Sequence, residues 1–361
     1  MRRSSLYAGT ITESQGRTAR LYNRSWATHH RGREVSVMWR ARAIGLGITL
    51  AIVIYGITRF DIGEVGRAVA RIDATFIPLS AAATLAGYAV RTMRWQRILR
   101  PSDRAPFTRL YGPLMIGFMA NNVLPARMGE FVRAYALDRE RGVGKTLALS
   151  TILVERLCDG LTLVFILAIL FSAGALPSVG QSVGLAAGGV FLAAALVTAA
   201  LVTRPVKALA IVGRLSRPLP ARFASIAEEK LRQITLGMAA LRNPGSLAIV
   251  AALSLATWAC EAASYYTLLA GFGVTVGVPV ALFATIVINL GIMIPSAPGY
   301  VGTFEGAALI ALTAFGIDPE SALAFAIVSH AIQWSLVTLI GAVFLSRGGA
   351  SIRIPSAVER S

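Results

Sequence analysis

The chain has 361 residues, of which 55% are hydrophobic, with a mean hydropathy of +0.64 and a formal charge of +17 at pH 7. Uncharged runs of membrane-spanning length recur along it, which excludes an ordinary soluble domain and marks a polytopic membrane protein. Most of the positive charge falls between the apolar runs, so it is assigned to orientation in the membrane and not to nucleic acid.

Residues 1–42 carry arginines from Arg2 to Arg42 with little apolar content and read as a basic, disordered arm; Met38 offers an alternative start. The apolar run 43–58 ends in Arg59 without a small-residue cleavage pattern and is read as a retained span. Further full spans are expected at 75–91, 147–171, 182–203, 246–270 and 321–345. The fold class is therefore all-α, with about six full spans. Cys158 and Cys260 lie inside apolar runs and outside any CxxC or Cys/His cluster, and no metal or cofactor is expected.

Two further apolar segments, 107–137 and 279–316, are broken mid-course by NNVLPARMGE at 121–130 and NLGIMIPSAPGYVGTFE at 289–305. Broken backbone frees amide and carbonyl groups that hydrocarbon cannot satisfy, so it persists only inside protein or beside a wet cavity. A matched pair of breaks, one in each half of the chain, points to a transporter's binding site.

Arginines flank the first broken segment on both sides, from Arg91 to Arg109 before it and at Arg133, Arg139 and Arg141 after it. Uncharged or acidic stretches flank the second, with only Asp318 and Glu320 beyond it. The first segment is thus expected to dip into the membrane from the cytoplasmic side and return, and the second to do so from outside. These two re-entrant hairpins imply an inverted-topology repeat, 75–171 mirrored by 246–345. Glu130 and Glu305 each follow their break, and 25 residues beyond them stand Glu155 and His330. The basic stretch 204–245 reads as amphipathic helices on the inner membrane surface or as a solvated linker, and the tail 346–361 is cytoplasmic, as is the N-terminus.

Ionisable groups inside spans mark cavities or partners. Glu155, Arg156 and Asp159 form either an internal salt bridge or a charged cavity wall. Glu261 lies one turn from Tyr265, which makes either a structural hydrogen bond or an acidic, aromatic stripe; His330 is either an interior histidine or a proton carrier. Arg91, Arg94 and Trp95 resemble an interfacial girdle. Half-helices beginning after Pro125 and near Thr303 would aim amide-bearing N-termini into the membrane interior, where anions are favoured. Arg127 adds a fork suited to phosphate, Asn121 and Asn122 add neutral donors, and Glu130 and Glu305 either join the site or pair with Arg127.

RTMRW at 91–95, GFMANNVLPARMGEFVRAYAL at 117–137, VERLCDGL at 154–161 and the motif at 289–305 together resemble the lysylphosphatidylglycerol synthase transmembrane-region family, over about 75–345. The resemblance implies a flippase-like protein of the bacterial cytoplasmic membrane that moves a phospholipid or polyprenyl-linked lipid between leaflets. Membrane lipids with a phosphate-bearing headgroup are the expected partners. The best known member also carries an aminoacyl-transferase domain, for which this chain has no room, so no enzymatic activity is expected. The alternative is an integral-membrane enzyme acting on a lipid-phosphate headgroup, with Glu130, Glu155 or Asp159 as general base.

Overall fold

The computed structural model describes residues 61–124, 127–176, 239–294 and 296–347, with isolated positions between 47 and 60. The basic arm, most of the expected first span, the expected span 182–203, nearly all of the stretch 204–245, Pro125 and the tail beyond 347 lie outside the described residues. Nine α-helices are described: α1 Ile62–Ala70, α2 Phe76–Leu99, α3 Phe107–Val123, α4 Gly129–Arg141, α5 Lys145–Ser172, α6 Pro244–Gly271, α7 Val278–Gly291, α8 Thr303–Thr313 and α9 Pro319–Arg347. No strand occurs among the described residues.

Local chemistry sets several helix ends. Asp61 caps α1 by accepting from the amides of Gly63 and Glu64 at 2.8 and 3.1 Å. Asn243 caps α6 through the Ser246 amide at 2.9 Å, with Pro244 in the first turn, where its missing N–H costs nothing. Gly142 closes α4 in the left-handed conformation, φ 67°. The expected span 75–91 continues through Arg91, Arg94 and Arg97 to Leu99, because burial and pairing of Arg91 and Arg94 let the helix carry charge through the protein interior.

The helices pack in antiparallel pairs. α2 and α6 meet along a seam of small residues: the Ser264 hydroxyl bonds those of Ser80 and Thr84 at 2.8 and 2.9 Å, and a β-carbon on Gly87 would touch that of Cys260. α3 and α9 pack Gly112 on Phe344 and Gly341 on Met119. Each broken segment folds into two α-helices, α3 with α4 and α7 with α8, and a 3-10 turn at Pro298–Tyr300 lies between the second two. At about 1.5 Å rise per residue, these four helices are shorter than a hydrocarbon core of ~30 Å. By contrast α2, α5, α6 and α9 have 24, 28, 28 and 29 residues. Of these, α6 and α9 combine spanning length with an apolar composition.

Two apolar clusters occupy opposite ends of the bundle. One gathers Trp95, Leu99, Leu114, Leu137 and Ile152; the other gathers Leu268, Phe283, Phe304, Leu312 and Phe325. The first end is basic and ties both flanks of the α3–α4 pair together, since Arg141 pairs with Asp103 at 2.8 Å. At the other end Asp73 donates its amide to the Gly271 carbonyl, and Asp318 and Glu320 lie near the start of α9.

Close approach inside the α3–α4 pair requires glycine at Gly129, where a β-carbon would collide with the Gly117 carbonyl and the Asn121 side chain. Gly129→Ala is expected to lower stability by roughly 1–3 kcal/mol, read as a lower melting temperature in detergent. Gly66→Ala, at an exposed α1 position with nothing within 4 Å, should leave the melting temperature unchanged or raise it.

Candidate functional site

Between the two apolar clusters lies a chain of buried charges. Arg94 on α2, with no exposed surface, donates to Asp159 on α5 at 2.7 Å and to the Ser254 hydroxyl on α6 at 3.0 Å, and stands 3.8 Å from Glu155. Glu155, 1% exposed, also pairs with Arg133 on α4 at 2.7 Å. Arg91 joins Glu261 on α6 at 2.9 Å and Asp159 at 3.6 Å, while Arg156 reaches Asp159 at 3.3 Å. Asn289 on α7 donates to the second oxygen of Glu261 at 2.8 Å. Two rings extend the network: Trp95 under the Arg133 guanidinium at 3.6 Å, and Trp258 under Arg91 at 4.8 Å. Four arginines face three carboxylates in this network, which leaves one positive charge.

The network forms one wall of a cavity of about 280 Å³ that reaches from α2 and α5 to the two interhelical breaks. Its polar lining includes Arg91, Arg156, Asp159 and Glu261 from the network, Asn121, Asn122, Arg127 and Glu130 from the first break, and Tyr265, Tyr300, His330 and Gln333 from the second half. Arg127 and Tyr300 both adopt positive φ, 53° and 64°, a conformation costly for residues with a β-carbon. They also meet, with the Arg127 guanidinium 5.6 Å from the centre of the Tyr300 ring. Arg127 has no carboxylate at ion-pair distance among the described residues. The Trp258 indole Nε1, also at the wall, has no acceptor among the described residues.

Asn121, Asn122, Arg127, Glu130, Arg156, Asp159, Glu261, Tyr265 and His330 are thus brought together as the sequence suggests, although 209 positions separate the first from the last in the chain. Glu155 is not on the cavity surface; it lies behind the wall, between Arg94 and Arg133, where its charge is compensated. Thr303 is buried, its hydroxyl bonded to Ser296 and the Tyr300 carbonyl. Glu305 turns back on its own helix: one oxygen accepts from the Gly302 amide at 2.6 Å and the other contacts His330 Nδ1 at 2.6 Å. The α8 N-terminus expected to attract an anion is therefore already capped by its own carboxylate. Likewise the Gly129 amide at the start of α4 is taken by Asn121 Oδ1 at 2.7 Å.

Other expectations need correction. Neither Glu130 nor Glu305 pairs with Arg127. Tyr265 does not bond Glu261; its hydroxyl accepts from Gln333 at 3.2 Å. Arg91 and Arg94 do not form an interfacial girdle, because their positions on α2 face α5 and α6 and not the rim. Arg91, Arg133, Asn289 and Gln333 are the site residues that pattern reading passes over. Asn289 opens the second motif as Asn121 opens the central part of the first, and Gln333 follows His330 by one turn, so both carried a faint positional signal.

A family model described as the lysylphosphatidylglycerol synthase TM region matches residues 42–341. The chain belongs to this family. It is a membrane protein, like two UPF0104 membrane proteins of Methanothermobacter thermautotrophicus to which it is similar, 24% and 25% identical over 80% and 84% of this chain and 90% and 91% of theirs. It is also similar, at 28% identity over 83% of its length, to a protein of Haloferax volcanii named glycosyltransferase AglD. The chain spans about half of that relative, 53%.

Removing one member of a buried ion network leaves its partners uncompensated. Arg94→Met should therefore cost about 3–5 kcal/mol, seen as a large fall in melting temperature in detergent. Arg156→Met, whose side chain is 36% exposed, should cost far less because solvent screens what remains.

Proposed function

We propose that this family member is a lipid translocator that moves a phospholipid or polyprenyl-linked lipid between leaflets, holding the phosphate-bearing headgroup in the central cavity. The observation that carries the reading is Arg127. It is a guanidinium without a carboxylate partner, held at a strained position on the tip of one helix pair, facing a cavity whose buried network already has one positive charge in excess. Such a fork binds phosphate in two places, and the unpartnered Trp258 indole adds a neutral donor at the same wall, whereas the Asn122 amide is already held by the Trp334 carbonyl and the Thr338 hydroxyl. The aromatic and aliphatic lining, Phe118, Leu163, Ile288 and Phe304 among it, suits the start of an acyl or prenyl chain.

In this reading α3–α4 and α7–α8 are re-entrant hairpins that enter from opposite leaflets, and their tips meet at Arg127 and Tyr300. Helices too short to cross, the Arg141–Asp103 pair that brings both flanks of the first hairpin together, and the antiparallel pairing of α2 with α6 all support it. The basic end then faces the cytoplasm of a cell's inner membrane. No covalent step is assigned. An alternative, a membrane enzyme acting on a lipid-phosphate headgroup, draws on the name of the Haloferax relative. Against it, two of its three candidate bases, Glu155 and Asp159, are held by arginines in the buried network.

Reconstitution into liposomes with fluorescent lipids of several headgroups tests the reading by leaflet exchange, and mass measurement of the recovered lipids separates transport from chemistry. Arg127→Ala is expected to abolish exchange at equal protein level, and Arg127→Lys to restore part of it, since lysine keeps the charge but not the planar fork. Exchange near the wild-type rate in Arg127→Ala would remove phosphate from its proposed partner. Cysteines introduced in 100–106 and 138–144 should be labelled from one side of the membrane, and those in 272–277 and 317–320 from the other. Labelling of 100–106 and 138–144 from opposite sides would exclude the re-entrant arrangement.

A further inference from the structure

The contacts that Glu305 and His330 make can be counted in hydrogens. His330 Nε2 lies 2.7 Å from the carbonyl oxygen of Gly299, which can only accept, so Nε2 carries a hydrogen. His330 Nδ1 lies 2.6 Å from Glu305 Oε1, and a contact that short between a ring nitrogen and a carboxylate oxygen needs a hydrogen as well, on one atom or the other. The other carboxylate oxygen is occupied as an acceptor for the Gly302 amide at 2.6 Å. Two hydrogens are therefore shared by the imidazole and the carboxyl, one more than a neutral histidine beside a carboxylate would hold.

Losing that proton breaks one contact whichever tautomer remains. With the single hydrogen on Nε2, the Nδ1 lone pair faces the carboxylate; with it on Nδ1, the Nε2 lone pair faces the Gly299 carbonyl. The two contacts lie on either side of Tyr300: His330 holds Gly299 and Glu305 holds Gly302. Tyr300 in turn carries the Arg127 guanidinium, the contact between the tips of the two helix pairs. Phe304, stacked on the imidazole with centroids 4.5 Å apart, keeps the ring in this plane.

We propose that Glu305 and His330 form a proton-binding site that latches the Gly299–Gly302 segment, and that lipid movement is linked to binding and release of this proton. The second half of the statement rests on the translocator reading; the latch does not. The charged groups that face the pair across the cavity, from α2, the first break and α4, α5 and α6, are Arg91, Arg127, Glu130, Arg156, Asp159 and Glu261, three of each sign. The titratable phenols on the same surface are those of Tyr88, Tyr265 and Tyr300, and no ionisable group of α7 lines it. With the proton bound the tips are held together and the cavity is closed between them; with the proton released His330 loses its hold on either Glu305 or the Gly299 carbonyl, and the tips can part.

Hydrogen exchange of the 296–302 backbone in the full-length protein in nanodiscs, corrected for the intrinsic pH dependence of amide exchange, reads the latch through the opening of the segment it holds. Between about pH 5 and about pH 9, wild type should lose roughly tenfold or more in protection, about the effect of one hydrogen bond to a charged group. Glu305→Gln imitates the protonated carboxyl: its amide donates to Nδ1 while its carbonyl still accepts from Gly302. It should therefore stay protected across the whole range. His330→Phe keeps the stack on Phe304 but loses both hydrogen bonds of the imidazole, and should show the lower, high-pH protection of wild type throughout. A flat wild-type profile, or a step in Glu305→Gln equal to that of wild type, would overturn the latch. Liposome leaflet exchange, measured at the same pH values, separates the two halves: exchange that steps with the same midpoint supports the linkage, and exchange equal at all pH values overturns it. A protection step in a protein that moves no lipid at any pH would preserve the latch and discard the translocator reading instead.

Discussion

A guanidinium in the middle of a membrane protein must be compensated, and Arg94 sets much of the architecture around that need. It is fully buried, and its partners come from α5 and α6, so three helices are fixed in register by one side chain. Arg133 then brings α4 to the same place through Glu155, and Arg91 brings in α6 again and, through Glu261 and Asn289, α7. Each desolvated charge is expensive by itself, and the set is tolerable only because each member answers another. The result is a polar layer across a bundle whose two ends are apolar cores.

That layer explains where the cavity lies and why it is polar on one side. The breaks after α3 and after α7 bring backbone and side-chain polar groups to the depth of the ion network, so the groups that hydrocarbon could not satisfy face one another across a shared space. Most of those groups are already spoken for. Asn121 holds the Gly129 amide, Glu305 holds Gly302, and Thr303 holds Tyr300 and Ser296. What remains open to a ligand is a short set centred on Arg127, which is why the phosphate reading depends on it and not on the helix ends.

The two halves use the same plan with different chemistry. In each, an acidic residue stands in the first turn of the helix after the break, Glu130 in α4 and Glu305 in α8, and a polar residue follows 25 positions later in the next long helix. In the first half that later residue, Glu155, is locked into the arginine network; in the second, His330 reaches back to Glu305 itself. One half is thus bound by a buried arginine–carboxylate network and the other by a histidine–carboxyl contact beside its break.

Much of this was legible in the amino-acid order. Long apolar runs give α2, α5, α6 and α9 because only helices satisfy their backbone in lipid, and the Pro- and Gly-bearing motifs place the two breaks because no continuous helix can pass through them. The same motifs supply Asn121, Asn122, Arg127, Glu130, Asn289 and Tyr300 of the cavity lining, since polar side chains beside broken backbone have few other reasons to be there. Pairing was another matter. Arg91 and Arg94 look like interfacial anchors when only their distance from the end of an apolar run is known, and Glu305 looks like a free carboxylate until the backbone turn at Gly302 presents an amide to it. Those assignments depend on partners that lie 25 to 170 positions away in the chain, such as Glu305 with His330 and Arg91 with Glu261. Periodicity reports which face of a helix is apolar, but it does not say what stands opposite, and that was decided only when α2, α5 and α6 packed together.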